Sequence, residues 1–147
     1  LFEYCNKKKI SYYDSNSSSI IKNDFSIYFT SWRRDIDYVI SGLDIVSLTS
    51  FNEGTPVSLI EAQAVGKPVI STNVGGVSDI IKDKKTGIIV NSFDFRDYAK
   101  KLYDLINDKD LRKYMSKEGP KFIENKYSYK TLVNNIDNLY TRHLKKT

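Results

Sequence analysis

From Ile27 onward, short β-branched runs alternate with segments of helical period, and this alternation limits the possible folds more than any other feature. Ile27–Thr30 (IYFT), Asp44–Thr49 (DIVSLT), Pro68–Thr72 (PVIST) and Gly87–Val90 (GIIV) read as strands. Between them, a helix capped by Asp35 runs to about Ser41. Pro56–Val65 (PVSLIEAQAV) forms a second helix, with Thr55 as N-cap, Pro56 in the first turn and Gly66 at the exit. A Gly75–Gly76 turn leads to a short helix ending at Ile81. Helices then follow over Phe95–Ile106, Lys109–Lys117 and Tyr129–Leu144, the last with a stripe of Leu132, Val133, Ile136, Leu139, Tyr140 and Leu144. Strand–helix–strand order implies an α/β fold, a parallel sheet with helices on both faces. Right-handed crossovers put all strand C-terminal ends on one edge, where such sheets bind ligands.

The first 26 residues differ. They hold one short strand candidate, Ile10–Tyr13, followed by a Ser/Asn-rich loop over Asp14–Ser19. The chain is therefore expected to divide into an atypical segment, residues 1–26, and a binding domain, residues 27–147. The 147 residues suit one domain. One cysteine, Cys5, excludes an intrachain disulfide and a cysteine-based zinc site, and fits a reducing cytoplasm. His143, the one histidine, has no metal-ligand spacing around it. No run of about 20 apolar residues exists to cross a membrane. The net charge of +5 comes from scattered lysines and three short clusters, Lys7–Lys9, Lys82–Lys85 (broken by Asp83) and Lys145–Lys146. None is a sustained basic stripe with interleaved aromatics, which argues against nucleic acid.

FNEGTPV (Phe51–Val57) follows the strand ending at Thr49 and so lies on the ligand edge. A loop feeding a helix N-terminus exposes backbone N–H groups and a partial positive charge. Gly54 allows close approach, and Pro56 sacrifices an N–H that the first turn does not use. The N–H groups of Val57, Ser58 and Leu59 are the expected donors for a phosphate. Glu53 and Glu61 bracket this turn. Glu61 lies about 7 Å along the helix, at about 1.5 Å per residue, with its side chain leaning back toward the N-terminus. That matches the distance from a diphosphate to the ribose hydroxyls of one nucleotide. A carboxylate accepts well from vicinal hydroxyls, and Glu53 is placed for those of a second sugar. Hydroxyl–diphosphate–hydroxyl describes a nucleotide sugar. A plainer reading stands beside it: Glu61 as a solvated helix residue and Glu53 as a loop acid favoured near a helix N-terminus.

EGTPVSLIE resembles the Glu-seven-residues-Glu motif of retaining GT-B glycosyltransferases of family 4, the glycosyl transferases group 1. The likeness extends through FTSWRRDIDYVISGLDIVSLTSFNEGTPVSLIEAQAVGKPVISTNVGGVSDIIKDKKTGIIV to DLINDKDLRKYM and KYSYKTLVNNIDNLY, about Ile27 to Tyr140. The resemblance implies the Rossmann-like C-terminal, donor-binding half of a GT-B fold. It gives Glu61 the ribose hydroxyls and Glu53 the catalytic position near the reacting carbon. Gly54, Thr55, Pro56, Val57 and Ser58 would line the sugar and phosphates. Trp32 and Arg33, after the Ile27 strand, would lie where the base is often contacted, and Gly75 and Gly76 would form either a donor-contacting or a purely structural turn. The implied reaction retains anomeric configuration and requires no cofactor or metal. UDP is the expected carrier on frequency alone, with a glycan or lipid-linked acceptor.

The sequence also departs from that family. No segment corresponds to its N-terminal acceptor-binding domain. The opening strand and the Arg/Lys pair that neutralises the diphosphate have no counterpart, with Lys7–Lys9 and Arg33 as the nearest substitutes. The fold is therefore expected to be incomplete at its N-terminus, and the chain inactive without the acceptor-binding domain as partner. The family implies a cytoplasmic site with peripheral contact at the inner face of the membrane, and the C-terminal stripe implies self-association. The competing readings are a degenerate fold that binds nothing and a basic binding module without catalysis.

Overall fold

The computed structural model describes residues 1–16, 26–91 and 93–144. Ser17–Ser19 of the expected loop and the Lys145–Lys146 cluster lie outside them. The chain forms two compact units, Leu1–Ile36 and Asp37–Thr147.

In the first unit, helix α1 (Phe2–Lys8) precedes strands β1 (Tyr12–Asp14) and β2 (Ile27–Phe29). The two strands pair in parallel, Tyr12 opposite Ile27 and Asp14 opposite Phe29. The first strand thus begins two residues later than expected and takes in Asp14, which the sequence assigned to the loop. Because β2 pairs with β1, packing divides the chain after Ile36, not after residue 26. Helix α1 was not expected. Its Phe2 ring packs on Tyr12 and Phe29 at centroid distances of 5.4 and 4.6 Å, a contact between residues distant in sequence. Lys9 ends the helix in the left-handed conformation, φ 54°.

Helix α2 (Ile36–Ser41) opens at the junction of the units. The second unit continues as β3 (Val46–Leu48), α3 (Val57–Ala64), β4 (Val69–Thr72), α4 (Val77–Ile80), β5 (Gly87–Val90), α5 (Phe95–Asn107), α6 (Lys109–Tyr127) and α7 (Tyr129–Leu144). Strands β3, β4 and β5 form a parallel sheet in that order, with Val46 opposite Val69 and Ile70 opposite Ile88. The central strand β4 is buried at all four residues, which explains its uninterrupted apolar character. Its successive residues serve opposite faces. Val69 joins Leu59, Ala62, Val77 and Ile80 from α3 and α4, and Ile70 joins Val90, Tyr98, Leu105 and Met115 from β5, α5 and α6. Helices thus cover both faces, as the alternation requires. Each fully buried side chain of the Leu59 or Ile80 kind contributes about 1.5–3 kcal/mol.

Asp94 caps α5 by accepting from the Arg96 N–H at 2.8 Å, and Asp108 caps α6 by accepting from Leu111 at 2.8 Å. Helix α6 passes the expected stop at Lys117 and runs through Gly119–Pro120 to Tyr127. Packing explains why: at Gly119 an added Cβ would lie 3.1 Å from the Gln63 carbonyl oxygen, so the glycine permits close contact between α6 and α3. Gln63 is fully buried. It donates from Nε2 to the carbonyls of Leu59 (3.1 Å) and Ile80 (2.8 Å), tying α3 to α4. No helix among the described residues is long and apolar enough to cross a membrane.

Candidate functional site

The sheet's parallel strands end at Leu48, Thr72 and Val90 on one edge, and the loop from Thr49 to Pro56 rises from the first of them. Two contacts hold this loop, one from the last residue of β4 and one from the N-cap of α4. The Thr72 hydroxyl donates to the Ser50 carbonyl at 2.6 Å. The Gly76 N–H donates to the Gly54 carbonyl at 2.8 Å. Between them Gly75, at φ +50°, lies so close that a Cβ would fall 1.6 Å from the Glu53 carbonyl oxygen. A Cβ at Gly76 would fall 2.5 Å from the Gly54 carbonyl oxygen. The glycine pair therefore shapes the Glu53–Gly54 backbone directly.

Helix α3 begins one residue later than expected. Pro56, with ψ 97°, occupies the N-cap, and Thr55 makes no capping hydrogen bond. The extended ψ at Pro56 turns the chain away from helical geometry for that one residue. Leu59, one of three expected free donors, bonds back to the Pro56 carbonyl at 3.1 Å. Val57 and Ser58 keep N–H groups without a partner among the described residues. Gly54 has open space beside it: an added Cβ would meet nothing within 4 Å.

Glu61 is exposed, one turn along from Val57 and Ser58, and these three share the outward face of α3, while Leu59, Ala62 and Gln63 face inward. The sequence suggested a charge set in an apolar helix. The structure instead gives Glu61 a solvent-facing stripe that starts at the free N–H groups. Glu53 is half-buried at the other side of the turn. Neither carboxylate forms an ion pair among the described residues. Glu53, Gly54, Thr55, Pro56, Val57, Ser58, Glu61, Gly75 and Gly76 thus come together on one edge of one unit.

Trp32 and Arg33 belong to the first unit. Trp32 is 89% exposed. It follows Ser31, which has a φ of 53°. The Arg33 guanidinium forms a two-pronged bond with Asp35, with Nε 2.8 Å from Oδ1 and the second prong between Nη2 and Oδ2. That pairing holds the Asp35 carboxyl below its ordinary value.

Sequence reading missed a cavity of about 480 Å³ on the α5 side of the same sheet edge, among Thr49, Phe51, Thr72, Phe93, Phe95 and Tyr98. The Phe51 and Phe93 rings stack at 5.7 Å, inclined by 24°. Tyr98 anchors its floor, its hydroxyl 2.8 Å from Ser47 Oγ and donating to the Ile70 carbonyl at 3.1 Å. Burial pushes the Tyr98 hydroxyl pKa up, so it stays a neutral donor. The available signal was an aromatic residue shortly after each of two strands.

A parallel sheet with helices on both faces and a glycine-shaped turn feeding a helix at the strand C-terminal edge defines a Rossmann-like domain of the GT-B C-terminal type. The chain belongs to the glycosyl transferases group 1 family, whose sequence profile matches residues 12–122. It is 36% identical over 107 residues to the capsular polysaccharide biosynthesis glycosyltransferase CapM of Staphylococcus aureus, covering 73% of this chain and 28% of that protein. It is 31% identical over 109 residues to the UDP-Gal:alpha-D-GlcNAc-diphosphoundecaprenol alpha-1,3-galactosyltransferase of Escherichia coli, covering 74% of this chain and 28% of that one. The chain therefore spans under a third of the length of either curated relative. Among solved structures, the C-terminal domain of the group 1 glycosyl transferase LpcC of Francisella tularensis matches with a TM-score of 0.65 at 31% identity, over 72% of this chain and 56% of that one.

Proposed function

We propose that this chain is the donor-binding domain of a retaining glycosyltransferase of family 4, part of a larger GT-B enzyme that moves a sugar from a UDP-sugar to a glycan or lipid-linked acceptor. One observation carries the reading: two unpartnered N–H groups, at Val57 and Ser58, open beside Gly54 with Glu53 on one side and Glu61 one turn away on the other. The N–H pair and the helix N-terminus bind the diphosphate. Glu61 accepts from the ribose hydroxyls, and Glu53 from the donor sugar near its reacting carbon. Thr55 and Pro56 fix the turn, and Gly75 and Gly76 fix the Glu53–Gly54 backbone. The E. coli relative's UDP-linked donor supports the choice of carrier. The acceptor is held by a second domain, as the short span on the relatives supports, and this chain alone does not turn over. No cofactor or metal is assigned to the reaction, and the enzyme works in the cytoplasm with peripheral contact at the inner membrane face.

Calorimetric titration of UDP and of GDP into the chain tests this reading. Saturable UDP binding that disappears in Glu61→Ala is the expected result. No binding to a demonstrably folded chain would favour the second reading, a fold retained without its ligand, which the engagement of Arg33 by Asp35 supports by removing one substitute for the missing basic pair.

A further inference from the structure

A second cavity, about 530 Å³, opens beside the loop that leads into β5, at the sheet edge where strands begin. The turn described above lies where they end. Four lysines line it, Lys82, Lys85, Lys121 and Lys126, against one acid, Glu118, a formal surplus of three positive charges. Glu118 answers two of the four, reaching Lys85 at 3.2 Å and Lys121 at 2.9 Å. The other two share one aromatic ring: the Lys82 ammonium lies 4.8 Å from the Phe122 centroid and the Lys126 ammonium 5.8 Å from it. Lys126 also donates to the Asp79 carbonyl at 2.8 Å.

Lys121 and Lys126 stand on α6, and the loop that carries Lys82 and Lys85 is held by its own hydrogen bonds. Thr86, fully buried, accepts from the Lys82 N–H at 3.0 Å through its hydroxyl and returns its own N–H to the Lys82 carbonyl at 2.9 Å. Lys85 donates to the same carbonyl at 2.9 Å, and Lys84 adopts φ 58° to close the loop onto Gly87. Like charges gathered around one cavity repel one another, and a lysine ammonium has three N–H donors to place. One carboxylate cannot satisfy four ammoniums. A phosphate group, with several acceptor oxygens and up to two charges, supplies what is missing, and Phe122 offers an apolar wall beside it.

We propose that this cavity is a second anion site, built for a phosphate ester and separate from the Val57–Ser58 turn. It rests on residues that the donor reading does not use. Two sources present that chemistry, a soluble phosphorylated molecule and a phospholipid headgroup. Inorganic pyrophosphate titrated into the chain, followed by amide NMR, examines the first. Co-sedimentation with vesicles of phosphatidylcholine and phosphatidylglycerol in equal parts, against phosphatidylcholine alone, examines the second. The expected result is saturable shifts at Thr86, Glu118 and Phe122, or retention on the anionic vesicles, weakened at least about tenfold in Lys82→Gln/Lys121→Gln by loss of two charges. Lys82→Arg/Lys121→Arg should keep binding, which separates charge from misfolding. Pyrophosphate shifts without vesicle retention assign a soluble ligand, and retention without shifts assigns a headgroup. Shifts confined to residues 57–59, binding unchanged in the Gln variant, or no binding of either probe would overturn the proposal.

Discussion

Gly75 is the residue on which the candidate site turns most directly. It needs φ +50° and has the Glu53 carbonyl where a side chain would be. Gly75→Ala should displace the Glu53–Gly54 backbone, abolish UDP binding in calorimetry and lower stability by roughly 1–3 kcal/mol for the strained φ alone. Unchanged UDP affinity would sink the positioning role. Tyr98→Phe keeps the ring and removes a hydroxyl bonded to Ser47 and Ile70. It should cost about 1–3 kcal/mol in denaturant unfolding, since buried partners lose a bond. Glu118 responds to acid. Its bonds to Lys121 and then Lys85 hold its carboxyl below the ordinary range. A depressed carboxylate contributes stability above its unfolded pKa, and that contribution is lost as pH falls through the folded value. Between about pH 5 and 3, unfolding temperatures should fall more steeply in the native chain than in Glu118→Gln, and equal slopes would argue that the pairs contribute nothing. The turn at Gly75 and Gly76 was legible because so close a backbone approach admits only glycine. The lysine cavity was not, since its charges come from two segments far apart in sequence, neither of which forms a stripe.

At the scale of elements, strong local signals were read correctly and tertiary ones were not. Strands β3, β4 and β5 stand where β-branched runs predict them. Helix α2 begins directly after Asp35, where the sequence placed its cap, whereas Thr55 makes no cap bond because Pro56 delays α3 by one residue. Helix α6 runs past Lys117 through Gly119–Pro120 because its packing on α3 outweighs the breaker pair. Helix α1 depends on rings that meet only in the folded unit. The α3–α4–β4 contacts should therefore dominate stability. Leu59→Ala, fully buried at their centre, should lower unfolding free energy by about 2–5 kcal/mol. A loss below 1 kcal/mol, on the order of a surface change, would show that this cluster does not anchor the unit.

At the scale of the whole molecule, the parallel order was legible in the sequence, whereas the division into a two-stranded and a three-stranded sheet was not, since strand pairing is not written in local pattern. The predicted C-terminal stripe stands on α7, where Leu132, Leu139 and Tyr140 are 55, 56 and 63% exposed. Sedimentation velocity should show concentration-dependent association, reduced in Leu132→Glu/Leu139→Glu. A single monomer boundary at every concentration would refute it. The grip on the Glu53–Gly54 loop has a kinetic consequence. One hold comes from Thr72, the last residue of β4, a strand buried at all four positions, and the other from Gly76 at the start of α4, so the loop is fastened to the chain that leaves the sheet's central strand. Exposed turns ordinarily surrender their amide hydrogens to solvent quickly. The Gly76 amide should instead exchange on the schedule of β4, opening only in the motions that unfold the sheet.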